Sequence, residues 1–290
     1  MKLKEGITFS HEHITIDLSG VKNNPDCRLD CFHETKAELQ LLKSKNVANI
    51  IDLTNRGMGR DIPYLTRMSE ETGINILCAT GYYKEPFFPE EVHVLSASAL
   101  AEIMTQEILQ GIDESGVRPH VIGEIGTSEN RMTALEKKVF EASAMCHLET
   151  GKPIITHTTL GTFALEQVAL FKHYGVNLDQ VIISHVDLKG DLDYILRLID
   201  SGVNVAFDTI GKENYLSDAL RVSMLKAICD RGLEQKVVMS MDITRKSALA
   251  YKGGLGYAYL LDSFIPRLGE AGVPDAAIDA MTQSNIRRIL

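Results

Sequence analysis

His11, His13, Glu124, His157, His185 and Asp242 are the residues whose types could do chemistry together. Four imidazoles and two carboxylates form a donor set for Zn2+, Mn2+, Co2+ or Fe2+, because Mg2+ and Ca2+ prefer all-oxygen shells. His11, His13, Glu124, His157, His185 and Asp242 are too many for one tetrahedral ion. Two divalent transition-metal ions with a shared bridge, Zn2+ first among the candidates, are the economical arrangement. Two such ions against two carboxylates and one hydroxide leave a net positive charge, which would polarise a carbonyl or phosphoryl oxygen. Bridging water would lose a proton near neutral pH and supply the nucleophile. Taken singly, each signal is weak. An HxH pair is commonly incidental, and a lone His at a strand end commonly bonds a neighbouring carbonyl. A buried Glu is commonly a paired structural acid, and Asp242 could cap a short helix through Ile243–Ser247. The weight lies in their convergence.

That convergence depends on the elements that carry them. Short β-branched runs alternate with amphipathic stretches, the pattern of βαβ units. Strands are predicted at Ile7–Ile14, Val47–Leu53, Ile74–Ala79, His120–Glu124, Pro153–Thr158, Val181–His185, Val203–Phe207 and Val237–Met241. Helices are predicted at Glu34–Ser44, Ile62–Thr72, Ala97–Gln110, Ala134–Thr150, Thr162–Tyr174, Leu192–Asp200, Leu220–Arg231 and Tyr257–Leu268, several followed closely by glycine. Eight strands with eight helices can close as a (β/α)8 barrel or open as a doubly wound sheet. The open sheet usually carries a glycine-rich phosphate turn after its first strand. Here Ser-His-Glu-His stands in that place, so the expectation is an α/β fold, a single (β/α)8 TIM barrel. Active sites of such barrels lie at the carboxyl ends of the strands. The first predicted strand ends in His11-Glu12-His13, the fourth in Glu124, the fifth in His157, the sixth in His185 and the eighth in Asp242. Strand alternation turns His11 and His13 to the same side.

Length and composition agree. The 290 residues suit one barrel domain spanning 1–290, and no linker, low-complexity tract or charge block divides them. The apolar fraction is 44% and 39 acidic residues outnumber 30 basic ones, a net charge of −9 that argues against a nucleic-acid surface. The opening MKLKEGITFSHEH lacks the apolar run of a signal peptide, and no stretch reads as a membrane span. A cytoplasmic protein without membrane or nucleic-acid partners is expected; a homodimer is compatible. Cys27, Cys31, Cys78, Cys146 and Cys229 are scattered and odd in number, so no disulfide framework is expected. Cys27, Cys31 and His33 lack the fourth ligand of a structural zinc and read as ordinary side chains.

The runs GITFSHEHITIDLSG, CATGYYKEPFFP, VIGEIGTSE, PIITHTT, VIISHVDLKGDLDYIL and VVMSMDITR resemble, in order, the phosphotriesterase family of the amidohydrolase superfamily, and within it the phosphotriesterase-homology proteins. The resemblance spans about Gly6 to Asn285. It implies a binuclear barrel with His11, His13 and Asp242 on the more buried metal, His157 and His185 on the more exposed one, and a bridge from the fourth strand. It also implies Asp242 as general base. Two departures matter. Many members bridge with a carboxylated lysine, whereas this chain has Glu124. Organophosphate-degrading members place an acid and a histidine where this chain has Leu188 and Thr209. A carboxylic ester or lactone therefore fits better than an organophosphate. Some relatives are lactonases of phosphorylated sugars.

Loops after strands seven and eight often bind phosphate in this fold. Here they carry Lys212, Asn214 and Tyr215, then Arg245, Lys246 and Lys252. These are either solvated cations or a clamp for an anionic small-molecule substrate. Tyr82 and Tyr83, after strand three, could contact substrate or simply pack. The expected substrate contacts are Tyr82, Tyr83, Lys212, Tyr215 and Arg245. Two rivals remain. A mononuclear deaminase would want a Glu shortly after His157, where Thr158, Thr159 and Leu160 stand. A non-catalytic metal-binding barrel would have no use for the full ligand set.

Overall fold

Every one of the eight predicted strand regions forms a strand in the computed structural model, which describes residues 3–290. They are β1 Ile7–Glu12, β2 Val47–Asp52, β3 Asn75–Thr80, β4 Val121–Thr127, β5 Ile154–Thr158, β6 Val181–Ile183, β7 Asn204–Phe207 and β8 Val237–Met239. They lie in that order in one parallel sheet. Side chains complete the seam between β1 and β8. Ser10 Oγ donates to the Met239 carbonyl at 3.2 Å, and Ser240 Oγ accepts from the His11 amide at 3.1 Å. The Asp242 amide donates to the His11 carbonyl at 3.3 Å.

Glu12 locks this seam. It accepts from Ser240 Oγ and the Met241 amide at 2.7 Å and from the Ile243 amide at 3.1 Å. Burial pushes its carboxyl up to about 7, with those donors acting in the opposite direction.

The helices formed in the predicted regions are α1 Phe32–Ser44, α2 Ile62–Thr72, α3 Ala97–Gln110, α4 Ala134–Thr150, α5 Ala164–Tyr174, α6 Leu192–Asp200, α7 Asp218–Cys229 and α8 Ile265–Glu270. Local chemistry starts most of them. Asp61, Ser96, Asp191 and Ser217 cap α2, α3, α6 and α7, and Thr133 with Glu136 forms a capping box on α4.

Alternation along the strands builds two cores. Ile51, Leu53, Leu77, Ala79, Val121, Ile155, Ile182, Ala206 and Val238 fill the lumen, where Ile286 and Ile289 of a terminal helix, Asn285–Ile289, plug it. The other strand faces pack on the helices. A filled lumen leaves only the carboxyl ends of the strands for a site.

Several boundaries differ from expectation. β6 and β8 stop at Ile183 and Met239 because the chain turns sharply just beyond, with φ of +61° at His185 and +50° at Asp242. The expected helix Tyr257–Leu268 is a π-helical turn, Leu260–Phe264, running into α8. The helical segments Asp275–Asp279 and Asn285–Ile289 and a two-residue hairpin, Ile16–Asp17 with Arg28–Leu29, were not anticipated.

Candidate metal centre

Glu124 is the hub around which the other candidate ligands gather. Its strand breaks register between Ile122 and Ile125, and such an irregularity re-aims a side chain. Gly123, at φ +141°, makes this local path possible: a Cβ there would lie 2.1 Å from the Ile155 carbonyl oxygen. Glu124 Oε1 lies 3.2 Å from His13 Nε2. Its Oε2 lies 3.1 Å from His157 Nδ1, 3.6 Å from His11 Nε2 and 3.8 Å from His185 Nε2. Asp242 Oδ1 completes the ring at 3.4 Å from His13 Nε2 and 3.7 Å from His11 Nε2. All six side chains expected to ligate metal therefore meet. They form three overlapping groups: His11, His13 and Glu124; His11, His185 and Asp242; Glu124, His157 and His185.

The far side of each ring is fixed. His13 Nδ1 lies 2.9 Å from Thr54 Oγ1, and His11 Nδ1 lies 3.1 Å from Ser184 Oγ and 2.9 Å from Asp208 Oδ2. Asp208 Oδ1 accepts from the His185 amide at 2.8 Å and stands 2.8 Å from His185 Nδ1. One carboxylate thus orients two ligand rings, leaving each Nε2 to face the centre. His157 alone presents Nδ1. The Tyr83 hydroxyl stands beside this ring, 3.3 Å from Nδ1 and 3.4 Å from Nε2, and Thr159 Oγ1 lies 3.4 Å from Nε2. His185 and Asp242 both hold left-handed backbone, strain of a kind that clusters at functional sites.

The donor set fits metal ions. His11 Nε2 and His13 Nε2 are buried without a hydrogen-bond partner, although they face carboxylate oxygens. Atoms that each sit about 2.1 Å from a common zinc ion lie roughly 3–3.5 Å apart, close to the spacings here. Burial opposes charge on His13 and His185. The Asp242 and Glu124 carboxylates nevertheless hold the first up at about 9, and Asp208 chiefly holds the second up at about 10. Burial takes His157 down to about 4. Burial would also raise Glu124 and Asp242, but the imidazoles, and Lys212 at Asp242, hold both well below the usual carboxylate range. Two ionised carboxylates thus stand among imidazoles whose protons a bound divalent cation would displace.

Beside the cluster opens a cavity of about 680 Å3, lined by Glu124, His157, His185 and Asp242 together with Tyr83, Lys212, Tyr215 and Arg245. Tyr82 is placed elsewhere. It is fully buried, with the Arg56 guanidinium 6.0 Å from its ring centre. Consecutive residues of an extended segment face opposite ways, so Tyr83 takes the cavity and Tyr82 the packing. Lys212 forms an ion pair with Asp242, while Lys246 is spent on Asp30 at 2.7 Å. Leu188 and Thr209 line the cavity, but the Thr209 hydroxyl is bonded to Asp187 and Arg221. Asp242 caps no helix; the nearest helical turn is Lys246–Ala248. All five cysteines are free, and Cys31 Sγ lies 3.1 Å from the Tyr251 hydroxyl.

Asp208, Glu12, Lys22 and Lys84 also bear on the site without having been expected there. For Asp208 the signal was visible, since it follows the seventh strand directly, at the mouth where the candidate ligands gather.

A parallel eight-stranded barrel with clustered imidazoles and carboxylates at its carboxyl-end mouth defines a metal-dependent hydrolase of the barrel type. The chain belongs to the phosphotriesterase family, whose model matches residues 2–290. It is 50% identical over 280 residues to the phosphotriesterase homology protein of Escherichia coli K12, covering 97% of this chain and 96% of that one. A crystal structure of the phosphotriesterase homology protein from Escherichia coli, with phosphate in its active site, superposes with a TM-score of 0.96 at 49% identity, covering 98% of each chain. A lactonase from Listeria monocytogenes has a TM-score of 0.94 at 26% identity, covering 99% of this chain and 95% of that one. Among the described residues no helix is long and apolar enough to cross a membrane.

Proposed function

We propose that this chain hydrolyses an ester or lactone that carries an anionic group away from the scissile bond, using two divalent cations. The observation that carries this reading is the gathering of His11, His13, His157, His185 and Asp242 around Glu124, beside a cavity with cationic walls. His11, His13 and Asp242 would hold one ion, His157 and His185 the other, with Glu124 between them. When bound, the cations would acidify a water and polarise the scissile carbonyl. Asp242, held ionised chiefly by Lys212 and the imidazoles, would accept the proton released in the attack. The Tyr83 hydroxyl, 3.3 Å from His157 Nδ1 and on the cavity wall, would orient the reacting group. Lys212 and Arg245 would hold the anionic group.

Two observations on relatives support this reading, the first its anionic group and the second its lactone. The Escherichia coli protein holds phosphate in its active site, and the Listeria protein is named a lactonase. Organophosphate hydrolysis is less well supported. Leu188 has no proton to move, and the Thr209 hydroxyl is already engaged.

The test is Lys212→Met and Arg245→Met on paired neutral and anionic lactones. A charge-assisted hydrogen bond is worth about 1.5–3 kcal/mol, so each change should lower kcat/KM for the anionic member about 10- to 100-fold more than for the neutral one. Equal losses on both members would mean that these residues serve the fold or the metals instead.

A further inference from the structure

Two further cations line the cavity, and no function has yet been given to them: Lys22, in the segment after β1, and Lys84, in the segment after β3. Both approach the same ring, with each ammonium 5.8 Å from the centre of Phe87. Lys84 also stands 5.7 Å from the ring centre of Tyr83, the tyrosine that borders His157. Its stem lies over Gly126 of β4, where a Cβ would come within 3.2 Å of Lys84 Cδ. A glycine at that point therefore leaves room for the lysine beside the metal centre.

Among the described residues neither ammonium has a carboxylate at ion-pair distance. The hydrogen bond found for Lys84 is to the Glu85 carbonyl at 3.3 Å. Lys212, by contrast, is paired with Asp242. Holding two unpaired cations near each other, one of them partly buried, is unfavourable until an anion joins them. The surrounding charge sharpens the point. The chain carries a net charge of −9, yet Lys22, Lys84, Lys212 and Arg245 all face this cavity. Its acids, Glu124 and Asp242, are the ones that metal ions would neutralise.

β3 and β7 are four places apart in a ring of eight, so Lys84 and Lys212 rise from opposite walls with the ligand cluster between them. We propose that Lys22 and Lys84 form a second anion-binding subsite, with Lys84 across the mouth from Lys212, so that the substrate bears an acidic group on each side of its scissile bond. Phe87 would pack against the adjoining carbon chain. This deepens the function proposed above and rests on its placement of the reaction at the ligand cluster.

Calorimetric titration of the metal-loaded protein with α,ω-dicarboxylates of increasing length, each against the monocarboxylate of equal carbon number, tests it. At one length the dicarboxylate should bind at least about 10-fold tighter than its partner, the worth of one charge-assisted contact. In the double variant Lys22→Met, Lys84→Met that advantage should fall to within about 2-fold. An advantage absent at every length in the parent protein overturns the proposal, with no variant needed. An advantage that survives in the folded double variant overturns it too, because the second anion then binds elsewhere. Monocarboxylate binding that is insensitive to Lys212→Met and Arg245→Met would instead overturn the clamp of the preceding section, leaving the second subsite to stand or fall on the dicarboxylate comparison.

Discussion

Asp208→Asn changes one atom and should weaken metal binding at two ligands together. Asp208 Oδ2 lies 2.9 Å from His11 Nδ1, and Oδ1 lies 2.8 Å from His185 Nδ1 while accepting the His185 amide at 2.8 Å. An Asn side chain offers a single oxygen, and its NH2 cannot accept a proton from an imidazole. One of the two rings therefore loses its anchor, and both lose the negative charge that makes Nε2 a better donor. Loss of such a partner typically costs about 10- to 100-fold in metal affinity. Because two rings share this carboxylate, we expect the upper end, about 100-fold or roughly 2.7 kcal/mol. Competition with a calibrated chelator measures it, and calorimetric melting of the metal-free protein supplies the control. Affinity within about 3-fold of the parent would refute the orienting role. So would a loss matched by collapse of the metal-free fold, which would make Asp208 a general structural acid.

Other changes separate chemistry from architecture. Asp242→Asn should lower turnover by about 10²- to 10⁴-fold beyond any metal loss, since Asn keeps an oxygen ligand but cannot take the proton; a variant with full metal content and a near-normal rate would place the base elsewhere. Glu107 is a test of stability away from the site. It binds Arg56 and Arg60 at 2.7 Å, and burial would raise its carboxyl, but the guanidinium partners and Thr80 hold it below its ordinary 4.5. A depressed carboxylate stabilises the fold above its unfolded pKa, and that contribution is lost as pH falls through the lower folded value. Glu107→Gln should therefore cost about 3–5 kcal/mol at pH 7, as breaking a buried pair does, with the deficit shrinking below about pH 4.5 in denaturation curves. A deficit independent of pH would show that packing, and not the ion pair, is what Glu107 contributes.

Much of the site could be read from the chain because barrel strands place their last residues at one mouth. His157 and His185 needed only their strands to be located, and His11 and His13 needed only the two-residue period to share a side. What could not be read depended on contacts distant in sequence. Asp208 serves His185, 23 positions away, and also His11 near the opposite end of the chain, and no periodicity announces such a partnership. Glu12 was passed over between two histidines, yet its bonds to Ser240, Met241 and Ile243 hold the turn that presents Asp242. Tyr82 and Tyr83 were read together, although an extended backbone had to send them apart. The π-helical turn Leu260–Phe264 preserves enough apolar spacing to read as ordinary helix.

The central claim is that six side chains from five strand ends hold two ions around Glu124. Elemental analysis of chain reconstituted with Zn2+ and then desalted tests it most directly. The account predicts two ions per chain in the parent protein, falling to about one in His157→Asn and in His185→Asn while the fold persists. One ion or none in the parent, or two ions retained in both variants, would contradict it.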